Sequence, residues 1–341
     1  MVDGIRPPGV ERWFEENVPL AKPPFEYQMI AGGRSNLTYK LTDVAGAAFV
    51  LRRPPLGQVL ESAHDMGREH RIVSALGPTD VPVPPVFGLC GDASVNDAPF
   101  YVMGFVEGRV LHDRLVAENS PAEERASIGI DAIDVLARLH ALDPDAVGLG
   151  TLGRKEAYVA RQLRRWSKQW AQSKTREIPE LEAVQRLLEE RIPEQFGASI
   201  VHGDYRLGNH LVHHGRIAAV LDWELCTLGD PLADLGYLLN NWASPDEIPA
   251  GAPNNHPTAA GGFAPREQLL ERYADATARD LSAISYYRAF SHYRGAAIAE
   301  GVYSRFRSGA YGDQQVDLEV LAGSAPQAAR MALELLETPK S

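Results

Sequence analysis

Between residues 199 and 222 the helical second half of this 341-residue chain breaks into three short β-forming runs, and this interruption constrains the fold more than any other feature. The runs cover 199–202, 210–213 and 217–221, each apolar enough for a buried strand. The first two are joined by an irregular, polar loop, His202-Gly203-Asp204-Tyr205-Arg206-Leu207-Gly208-Asn209. The third, Ile217-Ala218-Ala219-Val220-Leu221, ends on Asp222, so that carboxylate emerges where the strand stops.

The segments on either side differ in character. Residues 1–105 read as mainly β: runs at 27–30 and 37–42, a turn at 43–46, a strand at 47–52, and a strand at 100–106 closing on a connector at Glu107-Gly108. One helix, 61–76, is expected there, with Ile72, Val73 and Leu76 as its apolar stripe. Beyond the connector, Ile130, Ile133, Leu136, Ala137 and His140 recur at helical spacing through 122–142. A basic helix follows at 154–173, and long helices are expected at 265–279, 281–307 and 314–337. Asp230-Pro231 starts another, with Asp as N-cap and Pro at the first helical position. The Pro-, Gly- and Asn-rich stretch 244–264 reads as a mobile surface loop. Strands with one helix, a short connector, then helices around a β hairpin is the order of an α+β, bilobal, protein-kinase-like fold. Its small β-rich lobe would be 1–105, binding nucleotide, and its larger helical lobe 106–341, holding a catalytic loop and an acceptor site.

The spacing of three side chains gives the chemistry. Asp204 is placed to orient a hydroxyl and accept its proton. Asn209 and Asp222 are placed to hold Mg²⁺ against phosphates, because H-x-D-x-x-x-x-N followed by an Asp after the next strand is the catalytic-loop pattern of phosphoryl transfer. A carboxylate such as Asp222 would cost several kcal/mol if buried unpaired, and a metal ion supplies the pairing. His202 is expected to shape the loop through backbone hydrogen bonds, and Asp234 to reach back and fix that loop. In the first lobe, Gly32, Gly33, Arg34 and Ser35 form a turn between strands that can fold over phosphates through backbone N–H groups, with Arg34 and Ser35 in reach of direct contact.

Several strings together resemble the aminoglycoside phosphotransferase family, also called the choline-kinase-like or phosphotransferase enzyme family. The nearest branch is the one associated with acyl-CoA dehydrogenases. They are Gly32 to Tyr39, Val50-Leu51-Arg52-Arg53-Pro54-Pro55, Arg68-Glu69-His70, the HGDYRLGN loop, Leu221-Asp222-Trp223-Glu224, and Gly229 to Leu235. The resemblance implies ATP as phosphoryl donor, its adenine held by connector backbone near Met103, Gly104 and Phe105. It also implies a first-lobe lysine paired with a helix glutamate. Glu69 fits the glutamate, but Arg52 stands where the lysine is expected; it keeps the charge and can grip phosphate in a bidentate fork.

Composition narrows the partners. With 45 acidic against 34 basic residues the net charge is −11, which excludes a general nucleic-acid binder. Two distant cysteines, Cys90 and Cys226, fit a reducing cytoplasm. No apolar run approaches the roughly 18 residues of a membrane span, and no signal peptide is evident. A monomer or homodimer acting on a small-molecule hydroxyl substrate is therefore expected. Arg154, Lys155, Arg161, Arg164, Arg165 and Lys168 on one helix, and Tyr286, Tyr287, Arg288, His292, Tyr293 and Arg294 on another, favour an anionic acceptor such as a hydroxyacyl-CoA if either faces the cleft. Solvated helix faces with buried aromatics are the plainer alternative. The competing functions are a catalytically weak nucleotide-binding pseudokinase, an aminoglycoside kinase and, with no G-x-G-x-x-G, DFG or APE string, a protein kinase last.

Overall fold

The computed structural model describes residues 2–31, 36–56, 65–248, 254–310 and 316–338. The first lobe runs α1 (Pro7–Asn17), β1 (Glu26–Ala31), β2 (Leu37–Thr42), β3 (Ala48–Arg53), α2 (Met66–Leu76), β4 (Val86–Cys90), α3 (Ala93–Asn96) and β5 (Phe100–Gly104). Its strands make one antiparallel sheet in the order β1-β2-β3-β5-β4. Successive strand residues face opposite sides, and the two faces have separate tasks. Phe49, Leu51, Phe100 and Val102 pack with Val10 and Phe14 of α1, while Val50, Tyr101 and Met103 pack with Met66 of α2. Arg52, two residues after Val50, therefore points to the α2 side. The alternation aims this arginine.

The second lobe continues through β6 (Arg109–Val110), α4 (Arg114–Glu118), α5 (Ala122–Ala141), α6 (Tyr158–Ser173), α7 (Pro179–Glu190), β7 (Ser199–Val201), β8 (His210–His213), β9 (Arg216–Val220) and β10 (Thr227–Gly229). The helices α8 (Leu232–Asn240), α9 (Arg266–Thr277), α10 (Ile284–Arg307) and α11 (Leu318–Glu337) complete it. The embedded hairpin is β8–β9, with β6 on its outer edge, whereas β7 pairs separately with β10. This parting of β7 from β8 leaves the loop between them free to adopt an irregular path.

Four expectations change. The helix expected at 61–76 begins at Met66, where Asp65 caps it by accepting from the Arg68 amide at 2.9 Å; residues 57–64 lie outside the described residues. The basic helix begins at Tyr158 rather than 154. Pro231 rather than Asp230 is the N-cap residue of α8, although Asp230 Oδ1 still accepts from the Leu232 amide at 3.1 Å. The stretch 244–264 is not a plain surface loop. Single 3₁₀ turns at Pro245–Glu247 and Pro257–Ala260 lie in it, and Pro257, Thr258, Ala259 and Ala264 are buried. Two bonds tie it down: Thr258 Oγ1 to the Ala243 carbonyl and Trp242 Nε1 to the Ala264 carbonyl, both 2.8 Å. Pro245 and Pro257 mark helical turns too short to show a period; residues 249–253 lie outside the described residues. The sequence reading also passed over α1, although Pro7 and Pro8 at its first positions and Val10, Trp13 and Phe14 at helical spacing are its signature.

Two stability effects arise from this packing. At Gly236, α8 crosses α10 so closely that a Cβ would sit 2.7 Å from the Tyr287 carbonyl carbon. Gly236→Val should cost about 1–3 kcal/mol by overpacking, read as a lowered urea midpoint. On α10, His292 faces Arg288 of its own helix and Arg266 of α9, and burial together with these cations pushes its pKa down to about 4 from an ordinary 6.5. The unfolded chain then binds the extra proton more readily, so this contribution to stability is complete above about pH 6.5 and is lost as pH falls toward 4. His292→Gln should flatten the decline in that window, measured as unfolding midpoint against pH.

Candidate active site

The loop after β7 is built around Asp234. Although burial alone would push the Asp234 carboxyl up, bonds from His140 and the Gly203 amide help hold it below the ordinary carboxylate range. It accepts from the backbone amides of His202 at 2.6 Å and Gly203 at 2.8 Å, with the His140 ring 3.4 Å away. The His202 ring meets the Leu221 carbonyl at 2.9 Å and the Asp204 amide at 3.2 Å, tying the loop to the end of β9. Gly203 has φ +85°, and a Cβ there would come 2.8 Å from the Leu225 carbonyl oxygen. Only glycine lets the chain turn at this point.

Asp204 projects from that turn with both oxygens engaged. Asn209 Nδ2 donates to Oδ2 at 2.7 Å and to the Asp204 carbonyl at 2.8 Å, so the amide is locked. The Tyr237 hydroxyl donates to Oδ1, and Arg206 Nε lies 3.5 Å from the same atom. Tyr237 was not anticipated. It stands three residues after Asp234 on α8, so the helical period brings it to the same face, and that spacing was a usable signal.

Across the cleft, Arg52 joins the lobes. Its Nε lies 2.9 Å from Glu69 Oε1 and 3.0 Å from Oε2, and its Nη2 bonds Asp222 Oδ1 at 2.7 Å. Glu69 is 3% exposed, Arg52 12% and Asp222 29% in their side chains, so the cluster is drier toward α2 and wetter toward the loop. Burial pushes the Glu69 carboxyl up, against the pull of Arg52. Asp222 is in the left-handed region, φ +65°, at the end of β9, which turns its side chain away from the strand line and into the cleft. Two residues on, Glu224 is pushed up to about 7 by burial and by the neighbouring charges of Asp222, Glu69 and Asp204.

Arg52, Glu69, Met103, Phe105 and Asp222 line one cavity of about 300 Å³ between the lobes, closed on the apolar side by Val50, Tyr101 and Val220 among others. Arg52, Glu69, Met103, Phe105 and Asp222 thus share one lining, Asp204 and Asn209 bond each other in the loop after β7, and Gly32, Gly33, Arg34 and Ser35 lie outside the described residues. At the connector, the Gly104 amide donates to Pro85 at 2.7 Å and the Phe105 amide to Ala48 at 3.3 Å, so a base entering there meets these two donors already spent.

The donor chemistry fits a hard divalent cation. Asp222 would supply a carboxylate and Asn209 an amide oxygen, both hard donors. Among the described residues no three His, Cys, Asp or Glu side chains form a protein-only metal cage. Mg²⁺ characteristically takes one or two carboxylates and completes its shell with phosphates and water.

The basic helix does not face this cleft with its charges. On α6, Arg164, Arg165 and Lys168 are exposed, Lys155 before it pairs with Asp145, and Arg161 donates to the Arg154 carbonyl at 2.7 Å. Tyr286, Tyr287 and Tyr293 of α10 are core. Arg294 alone of the charges named on α10 bonds the catalytic loop, its Nη1 donating to the Gly203 carbonyl at 2.6 Å.

A family model described as the phosphotransferase enzyme family matches residues 26–285. Mouse acyl-CoA dehydrogenase family member 10 is 36% identical over 290 residues, covering 84% of this chain and 27% of that protein. Rat acyl-CoA dehydrogenase family member 11 is 36% identical over 282 residues, covering 81% and 36%. The chain thus spans only about a third of the length of these relatives. Among solved structures, a Ralstonia eutropha protein named after the aminoglycoside phosphotransferases is 32% identical with a TM-score of 0.81, covering 98% of both chains. A ternary complex of aminoglycoside phosphotransferase APH(4)-Ia with ADP and hygromycin B shares the fold at 15% identity and a TM-score of 0.61, covering 96% of this chain and 97% of that one. No helix among the described residues is long and apolar enough to cross a membrane.

Proposed function

Because the chain belongs to the phosphotransferase enzyme family, we propose that it moves the γ-phosphoryl group of ATP to a hydroxyl of a small molecule, with Mg²⁺ held by Asn209 and Asp222. One arrangement carries this reading: Asn209 bonds Asp204 and, through its backbone carbonyl, the Leu221 amide next to Asp222, which in turn bonds Arg52 of the Arg52–Glu69 pair lining the cleft. In the reaction the acceptor oxygen forms a bond to the γ-phosphorus as the bond to the ADP oxygen breaks. The acceptor's proton passes to Asp204, whose orientation Asn209 and Tyr237 fix. Bound Mg²⁺ would offset the phosphate charge. Arg52 contacts phosphate from the other side, and Met103 and Phe105 supply the apolar wall for adenine.

The acceptor in this reading is an anionic hydroxyl compound of the hydroxyacyl-CoA kind. Support for it does not come from α6, whose Arg164, Arg165 and Lys168 are exposed, but from Arg294 beside the loop, which has no carboxylate ion-pair partner among the described residues. A coupled ADP-release assay with ATP·Mg²⁺ against hydroxyacyl-CoAs, choline-like alcohols, sugars and aminoglycosides tests the function. Acceptor-dependent release with an anionic alcohol is the expected result. Nucleotide binding with no release across the panel would sink the transferase reading in favour of a nucleotide-binding module.

A further inference from the structure

A second, small cavity includes Tyr237 in its lining, together with Tyr158, Gln162 and Trp166 of α6, Gly203 of the loop, and Ser291 and Arg294 of α10 among others. Its free space is about 10 Å³, enough for a single oxygen-sized atom. Two of its lining residues hold buried N–H donors with no acceptor: Trp166 Nε1 and Arg294 Nε. The Arg294 guanidinium is stacked between the rings of Trp166 and Tyr237, 5.4 Å from each centroid, which fixes its direction. Asp234, the carboxylate of this lining, is spent on the His202 and Gly203 amides and His140. Among the described residues no carboxylate forms an ion pair with Arg294.

Buried donors without acceptors are rare in native proteins and ask for a partner. Here the unpaired groups are donors only, one of them a cation, around a space of one atom. We propose that this cavity is the acceptor's recognition subsite, and that it receives one oxygen of a carboxylate or phosphate group on the hydroxyl substrate. Arg294 and Trp166 grip that oxygen while the substrate's hydroxyl meets Asp204, which the hydroxyl of the lining residue Tyr237 bonds. Arg294 thereby determines specificity: it favours oxyanion-bearing alcohols and repels cationic ones such as aminoglycosides and choline. The inference rests on the phosphotransferase reading for its purpose but not for its test.

With ADP·Mg²⁺ saturating, so that the nucleotide side is filled, the indole N–H resonance of Trp166 is followed by NMR in the full chain. Inorganic phosphate, propionate and choline are added in separate titrations. Phosphate or propionate should give a saturable shift and choline none, and whichever anion binds more tightly identifies the group recognised. Arg294→Gln should weaken that response at least tenfold. Because Arg294 also bonds the Gly203 carbonyl, a second variant, Gln162→Trp, fills the cavity from α6 and leaves that bond in place; it should abolish the response. No saturable shift with either anion while ADP binds normally would overturn the subsite and leave the phosphotransferase standing, with a water in the cavity. A response undiminished in both variants would overturn it equally. Failure of ADP·Mg²⁺ to bind the wild type would count instead against the phosphotransferase reading.

Discussion

Asp204→Ala should lower turnover by roughly 100- to 10,000-fold, the usual range for loss of a positioned general base, while ATP·Mg²⁺ affinity changes by no more than about threefold. The reason lies in how the carboxylate is held. Asn209 grips one oxygen at 2.7 Å and Tyr237 the other, so the group is fixed by neighbours and touches neither Arg52 nor Glu69. Removing it should leave the nucleotide wall of the cleft intact and take away only the acceptor's proton acceptor. Turnover is read by coupled ADP release and affinity by calorimetry. If turnover survives, Asp204 has no part in the mechanism. If affinity collapses together with turnover, the variant has disturbed Asn209, and Asp204→Asn, which keeps the shape, separates the two.

Arg52→Ala should damage both stability and nucleotide binding. Among the described residues Arg52 is the ion-pair partner of Glu69, and it also compensates Asp222 across the lobes. Glu69 is 3% exposed, so without Arg52 it is a buried carboxylate that must take up a proton or remain uncompensated. Breaking a buried pair in this way costs about 3–5 kcal/mol, and the lower end applies because Asp222, at 29% exposure, can turn to solvent. ATP affinity should fall at least tenfold with loss of the phosphate contact, about 1.4 kcal/mol. Arg52→Lys is the informative companion. It keeps the charge but cannot serve Glu69 and Asp222 together through one planar fork. It should recover most of the stability and only part of the affinity, measured by urea unfolding and calorimetry. An unfolding midpoint in Arg52→Ala equal to wild type would show that the bridge across the cleft carries no stability.

The sequence by itself determined the class of fold and the spacing of the loop's polar side chains. The spacing of Asp204, Asn209 and Asp222 is local information, since a strand, a turn and the next strand fix their relation within a short stretch of chain. Helical and strand periods are local too, which is why α5, α10 and β1, β2, β3 and β5 were legible, whereas β4 was passed over. The alternation along β3 even implied the face on which Arg52 lies. Tertiary structure alone decided which distant groups meet. Tyr237 reaches Asp204 from another element, Arg52 spans 170 positions to Asp222, and Arg294 comes 91 positions to the Gly203 carbonyl. It also sent the basic residues of α6 into solvent by burying Leu163, Trp166 and Trp170 on the opposite face. Periodicity shows that a helix has a charged side and an apolar side, but not what the neighbouring helices put against each. That depends on contacts between segments far apart in the chain, and those contacts set the charge balance of the acceptor side.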